Sequence, residues 1–245
     1  MTTDRISISL VIPAYNEEKV IAQNLKKILA YFTAKKITFE IIVVNDASSD
    51  KTGVIVADLA RRFCQIRAIS SPVNKGKGFS VNCGMLAASG DYIAFCDADL
   101  STPIEELDKM LALTADNYDI IIGERTAKGS VILNQTVMRR GMGRVFNFIT
   151  RLLGLTKFHD TQCGFKLFTR RAAHDIFKMQ KHMGFCFDVE ILYLAGLLGY
   201  AVKPVPVVWL NRRDSKIRVI RDSLRMLLGL FIIKIRAITG QYEKR

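Results

Sequence analysis

The chain is short of the features that hold secreted proteins together, and it lacks those that carry a chain through a membrane. Its five cysteines, Cys64, Cys83, Cys96, Cys163 and Cys186, are an odd number with no CxxC or CxxH spacing. That excludes a zinc ribbon and favours a reducing, cytosolic compartment. Only three histidines occur, His159, His174 and His182, and their spacing suits no metal. No window approaches about 18 uninterrupted apolar residues, and the opening MTTDRISISLVIP lacks the basic flank and apolar core of a secretory signal, so neither a membrane span nor a leader is expected. Repeats, low-complexity tracts and linkers rich in Pro, Gly or Ser are missing too. The expectation is one substantial domain, residues 1–210, followed by a helical tail, residues 211–245.

Acid is in shorter supply than base: 23 Asp and Glu stand against 36 Lys and Arg, a net charge of +13. The imbalance is concentrated, with eleven basic residues and three acids from Ala201 to Arg245. Such an end suits nucleic acid, an anionic membrane surface or a phosphorylated substrate, or is a solvated face kept for solubility. At 49% hydrophobic content over 245 residues, the chain has enough apolar material for a folded core.

Short β-rich runs recur at Ile6–Ile12, Phe39–Val44, Ile66–Ser70, Tyr92–Cys96 and Asp119–Ile122. Helical patterns fill the gaps, at Glu17–Phe32, at Lys51–Phe63 after the cap signal Ser48-Ser49-Asp50, at Lys77–Ala88 and at Pro103–Leu113. This alternation predicts an α/β fold with a doubly wound, mostly parallel sheet. Ligands of such sheets bind beyond the carboxyl ends of the strands. There the sequence reads VIPAYNEE, VVNDASSD and FCDADLSTP, which brings Tyr15, Glu17, Asp46, Asp97 and Asp99 around one crevice. Clustered acids without compensating bases call for a cation, and hard carboxylate oxygens select Mg²⁺ or Mn²⁺, with substrate phosphates completing the shell. The loop SPVNKGKGFS adds Lys75, Lys77 and two glycines at a helix N-terminus, a setting for an anion or simply a glycine-rich turn.

Taken together, VIPAYNEE, VVNDASSDKT, NKGKG, GDYIAFCDADLSTP and DTQCGFKLF resemble an inverting family 2 glycosyltransferase, and within it the dolichyl-phosphate glucosyltransferase branch, over about Ile6–Leu210. The resemblance implies a GT-A-like domain that binds a nucleotide diphosphosugar and moves a hexose onto a polyprenyl phosphate, dolichyl or undecaprenyl. By the same resemblance Pro13, Ala14, Tyr15, Glu17 and Asp46 cradle uridine, Lys75 and Ala98 lie along the donor, and Asp97 and Asp99 bind the metal and diphosphate. Ser101 stands where the mannosyl-transferring branch tends to have Gln, which favours UDP-glucose over GDP-mannose. In WLNRRDSKI, Asp214 replaces the glycine that the glucosyl branch often shows before Ser-Lys.

A phosphate monoester with a second pKa near about 6 is already ionised at neutral pH, so such an acceptor needs cations rather than a base. Candidates are Arg125 after the fifth strand, expected to be catalytic, then Arg139, Arg140, Arg144 and Lys216, with Asp160 and Gln162 facing sugar or metal. Asp188 and Glu190 open a later helix and are the reserve candidates for a general base. The tail repeats Ile217, Ile220, Leu224, Leu227, Leu228, Phe231 and Ile235 at helical spacing among arginines and lysines, a basic amphipathic helix suited to an anionic membrane surface or to packing on the domain. The expected setting is therefore cytoplasmic and peripheral to a membrane, with no nucleic-acid partner. Competing readings are transfer to a sugar hydroxyl, a phosphohydrolase using the acids of DADLS, and a non-catalytic sugar-nucleotide sensor.

Overall fold

The computed structural model describes residues 7–134, 137–211 and 219–242. The first half alternates β1 (Ser7–Ala14), α1 (Ile21–Lys35), β2 (Thr38–Asp46), α2 (Thr52–Arg62), β3 (Ile66–Ser71), α3 (Lys77–Ala87) and β4 (Tyr92–Cys96). All five predicted strands form, β5 being Ile120–Glu124. The predicted helix at Pro103–Leu113 is broken into a 3₁₀ turn, Ile104–Glu106, and a short α4, Leu107–Ala112. The first helix starts at Ile21 rather than Glu17, because Glu17–Val20 is spent on a turn whose Glu17 N–H is drawn to Thr52 Oγ1 at 2.7 Å.

The second half contributes β6 (Val131–Leu133), α5 (Val137–Leu152), β7 (Phe165–Thr169), α6 (Arg170–Met179), α7 (Phe187–Leu197), β8 (Val202–Pro206), β9 (Val208–Leu210) and α8 (Val219–Ile238). Seven strands form one sheet in the order β3-β2-β1-β4-β7-β5-β8, and β6 pairs with β9 beside it. Every pairing in the main sheet is parallel except those of β7, which runs antiparallel to both neighbours. The chain winds outward through β1, β2 and β3 and then crosses back to β4, so the switch point of the sheet lies between β1 and β4.

Both faces of the sheet are covered, which explains the apolar runs in its central strands β1, β2 and β4. One face packs under α1, whose Ile21, Leu25, Ile28, Leu29 and Phe32 recur at helical spacing and are buried. The other face meets α3, α6 and α7 through Val81, Met85, Ile176, Phe177, Phe187 and Ile191. Gly84 lets α3 lie directly on the sheet, since a Cβ there would collide with Val11. The last helix is docked as well: Leu230 and Ile233 are buried with Phe146 of α5, Leu155, Cys186 and Val189.

Strand β7 decides what reaches the crevice. Its register pairs Phe165 with Cys96, so an antiparallel strand begins where the parallel β4 ends. The segment leading into it, Asp160–Gly164, therefore arrives beside Asp97; a parallel strand would have left it at the opposite edge. Lys166 of β7 is fully buried, and its Nζ donates to Thr161 O at 3.0 Å, to Cys163 O at 2.7 Å and to the Asp188 carboxylate. This lysine staples the arriving loop and the start of α7 to the sheet. Removing one member of a buried ion pair leaves the other uncompensated, at a cost of about 3–5 kcal/mol. Lys166→Met should lose stability on that scale in urea unfolding, and adding Asp188→Leu should recover a large part of it; a single variant as stable as wild type would contradict the staple.

Candidate active site

Three loops leave the carboxyl ends of β1, β2 and β4, and each contains a non-glycine residue at positive φ: Asn16 at 56°, Ala47 at 54° and Leu100 at 50°. Such backbone is costly and persists only where its surroundings enforce it. The enforcement is visible. Asn16 Oδ1 accepts Ser49 N at 2.8 Å, Ser48 Oγ accepts Asn16 N at 2.9 Å, and Asp50 Oδ2 accepts Glu18 N at 3.1 Å, so the first two loops are laced together. In the third, Leu100 N closes a turn onto Asp97 O at 3.0 Å, while Asn24 Nδ2 donates to Ala98 O at 2.8 Å. Pro13 and Ala14 end β1, and Tyr15 beyond them is exposed at the rim.

Asp99 is held by Ser101, whose N–H and hydroxyl each donate to its carboxylate at 2.8 Å. Burial raises its pKa above the ordinary carboxylate value, and the neighbouring charge of Asp97 adds to the rise. Asp97 faces Lys77, with Nζ 2.6 Å from Oδ1. Burial by itself would lower the Lys77 pKa, but Asp97, Asp188 and Asp99 together raise it. Gly164 lies against the same carboxylate, and a Cβ there would collide with Asp97. The Asp160–Gly164 segment thus needs its glycine to let the acid through.

Asp46 is 3% exposed, and its oxygens accept Lys75 N at 2.9 Å and Gly76 N at 2.8 Å. Its carboxylate builds the NKGKG turn from beneath. Lys75 is exposed, its Nζ 4.4 Å from the Phe79 ring centroid, whereas Lys77 turns inward. Of the two lysines in this loop, Lys77 is the one that reaches the acids. Its place in the first turn of α3, between two glycines, is the signal the sequence offers for it.

Arg125 and Asp160 meet, but on each other. Arg125 Nε and Nη2 each lie 2.8 Å from the Asp160 carboxylate, the Arg125 N–H adds a third bond at 2.9 Å, and the guanidinium lies 5.2 Å from the Trp209 ring. Asp160 is 1% exposed. Gln162 is half-buried, with its N–H on Asp160 Oδ1 at 3.2 Å and its side chain near Thr161. Arg140 and Arg144 are exposed on α5. Arg139 stands in the first turn of the same helix, its side chain outside the described residues, as are Lys216 and Asp214 altogether.

The donor set suits a divalent cation completed by a ligand. Among the described residues no group of three or more His, Cys, Asp or Glu could hold a metal by itself. Two hard carboxylates one residue apart, one of them half-neutralised by a lysine, match an ion that keeps most of its shell for water and phosphate oxygens. The geometry is that of an α/β sheet edge suited to a divalent cation together with a phosphorylated ligand.

The chain belongs to Glycosyl transferase family 2, whose profile matches residues 9–177. It is 39% identical over 238 residues to a dolichyl-phosphate beta-glucosyltransferase of Trichomonas vaginalis, covering 93% of this chain and 70% of that one. Enzymes with the same description from Drosophila melanogaster and Homo sapiens are 33% and 30% identical, each covered over 77% of its length by 97% and 96% of this chain. Among solved structures, the glucosyl-3-phosphoglycerate synthase of Mycobacterium tuberculosis bound to UDP superposes with a TM-score of 0.68 at 20% identity, over 94% of this chain and 80% of that one. The same enzyme with Mn²⁺, UDP and glucosyl-3-phosphoglycerate gives 0.65 at 18%. The fold is that of GT-A nucleotide-sugar transferases, and the chain is a glycosyltransferase.

The Arg125–Asp160 pair generates a test. Burial alone would raise the Asp160 pKa, but Arg125 overrides it and holds the carboxyl below its ordinary value. A carboxylate depressed in the folded state contributes stability above its unfolded pKa of about 3.9 and loses it as pH falls through the folded value. Asp160→Asn should therefore cost about 3 kcal/mol at pH 7. The gap to wild type should narrow only below about pH 4, measured as Tm or urea midpoint against pH. An equal gap at all pH values would show that the variant disturbs packing instead.

Proposed function

We propose that this enzyme transfers glucose from UDP-glucose, with inversion, to the phosphate of a polyprenyl phosphate, dolichyl or undecaprenyl, at the cytoplasmic face of a membrane. The observation that carries the reading is the way acids are used around the crevice. Asp97 and Asp99 lie together at the end of β4 with one lysine, Lys77, between them, while other carboxylates nearby are each held by donors of their own. Asp160 is bonded to Arg125, Asp188 to Lys166, and Glu190 to the Lys181 and His182 amides and the Tyr242 hydroxyl. A sugar hydroxyl would need a general base, and these residues leave none poised; an ionised phosphate needs none. Transfer to a polysaccharide hydroxyl is disfavoured on that ground, and family membership removes the phosphohydrolase and sensor readings.

In this reading Asp97 and Asp99 would hold Mg²⁺ or Mn²⁺, which would supply Lewis-acid stabilisation of the departing diphosphate. Lys77 adds a fixed positive charge beside the same phosphates, pre-oriented by Asp97. Pro13, Ala14, Tyr15 and Glu17 form the rim for the uridine, and Asp46 acts beneath it by shaping the Lys75–Gly76 turn. Ser101 sets the direction of Asp99. Arg125 lines the acceptor side with its charge balanced by Asp160, leaving Arg139, Arg140, Gln162 and Lys216 as candidates for the acceptor phosphate. Replacing Asp97 or Asp99 by Asn should cut turnover by about 100-fold or more with the circular dichroism unchanged, as the loss of a transition-state charge contact implies. Chelation should do the same, assayed with labelled nucleotide sugars and polyprenyl phosphate by organic extraction. Transfer to the free polyprenol as fast as to its phosphate would overturn the mechanism.

The lipid side of the proposal is supported by two helices. Met138, Val145, Phe148 and Leu152 of α5 are exposed, as are Leu224, Leu228, Phe231, Ile235 and Ile238 of α8, and the two helices share a buried cluster beneath these stripes. Arg140, Arg144, Arg151, Arg225 and Lys234 lie on the same two helices. Among the described residues no helix is long and apolar enough to cross a membrane. Such surfaces seat at a headgroup boundary, where apolar area and basic charge act together. Phe148→Ser combined with Leu228→Ser should lower the partition constant onto anionic liposomes, read by cosedimentation, by about 100-fold, since each buried apolar side chain contributes about 1.5 kcal/mol or more. Unchanged cosedimentation would remove the lipid surface from the proposal.

A further inference from the structure

The stretch between α6 and α7, Gln180–Phe185, supplies none of the chemistry above, yet it is wedged between the acidic site and the C-terminal helix. On its inner side Phe79 N donates to Met183 O at 3.1 Å, and Gln180 Nε2 donates to Gly78 O at 3.0 Å. Gly76 and Gly78 are so close to it that a Cβ on either would come within 2.8 Å of the Met183 backbone. These glycines flank Lys77, and Gly76 N is one of the two amides on Asp46. On its outer side lies α8. A Cβ on Gly229 would sit 2.8 Å from Cys186 Sγ and 3.1 Å from the His182 ring, and Cys186 Sγ donates to Met226 O at 2.9 Å.

Glu190 joins the two sides. It is fully buried in the first turn of α7. Its Oε2 accepts Lys181 N at 3.0 Å and His182 N at 2.7 Å; its Oε1 accepts the Tyr242 hydroxyl at 2.5 Å. Arg236 Nη1 of α8 is 3.7 Å from the same oxygen, buried and with no hydrogen-bond partner. A buried carboxylate must have its lone pairs filled, and here two amides of the wedge fill one oxygen and the Tyr242 hydroxyl fills the other.

We propose that Glu190 is a positioning residue that latches the C-terminal helix to the donor loop. With α8 docked, Tyr242 and Arg236 hold Glu190, Glu190 fixes the Lys181 and His182 amides, and Met183 presses the Gly76–Phe79 turn into the shape that presents Lys77 to Asp97. Seating of the helix that carries an apolar stripe is thereby coupled to readiness of the site about the acids. The consequence for donor binding rests on the donor reading given above; the mechanical coupling does not.

Tyr242→Phe removes one hydrogen bond to a charged group, and Gly229→Leu pushes α8 away from Cys186 and His182. Tyr200→Phe serves as the control, because Tyr200 makes a similar bond to Asp175 Oδ2 at 2.5 Å without touching the wedge. Amide hydrogen exchange of residues 75–80 in the nucleotide-free full chain should quicken by roughly tenfold in Tyr242→Phe and more in Gly229→Leu, and stay at the wild-type rate in Tyr200→Phe. The Kd for Mn²⁺ with UDP, by calorimetry, and the KM for UDP-glucose should rise in the same order while the KM for polyprenyl phosphate holds. Unchanged exchange at 75–80 in Tyr242→Phe and Gly229→Leu, or equal acceleration in Tyr200→Phe, would overturn the latch. Faster exchange with unchanged Mn²⁺ and UDP affinity would leave the latch standing and overturn the donor reading instead.

Discussion

Mutual repulsion of acids crowded at one edge of the sheet is the constraint around which this structure is arranged. Asp97 and Asp99 leave a buried strand one residue apart, and Asp160 and Asp188 are delivered close to them by other elements. Ions in low-dielectric surroundings are tolerated only when each has an opposite charge and hydrogen bonds. The chain answers with one cation per acid: Arg125 for Asp160, Lys166 for Asp188 and Lys77 for Asp97. Asp99 is left with a serine, and burial first and the charge of Asp97 second raise its pKa. A site built this way keeps one carboxylate charge unbalanced, a setting in which a bound cation would be favoured.

The same arrangement separates residues that make the site from those that shape it. Asp46 and Asp160 look alike in sequence to Asp97, but each is buried and saturated by donors, and their effect runs through the backbone they hold. Strain follows the same division. The left-handed residues Asn16, Ala47 and Leu100 all sit in the loops that converge on the crevice, and the side-chain bonds between those loops keep them there.

The acidic edge and the exposed apolar helices are not independent parts. Helix α5 follows β5 and β6, and the return path from α5 runs through Asp160–Gly164 into β7, so the surface proposed for lipid and the loop beside Asp97 lie on one continuous stretch of chain. Helix α8 packs on α5 through Leu230 and Ile233, and Arg236 in it and Tyr242 after it meet Glu190 of α7. In the proposed reaction a lipid-bound acceptor and a soluble donor would meet over one sheet edge, joined by this stretch of chain.

Much of this was legible in the residues. Unbroken apolar runs ending in acids fixed the doubly wound sheet and put Tyr15, Asp46, Asp97 and Asp99 at its carboxyl edge, because strand ends are local and the edge rule is general. The basic amphipathic pattern of the tail was equally local, and so was the family resemblance carried by the loops. What the residues alone left open depends on partners far apart in the chain. That FKLF enters antiparallel between β4 and β5, that its lysine is buried to pin Asp188, and that Arg125 is claimed by Asp160 across 35 positions are all settled by packing. A charged side chain looks the same in sequence whether it awaits a ligand or is neutralised by a distant residue. Only the tertiary structure, by pairing each buried charge or leaving it open, decided which acids and bases remain available for chemistry.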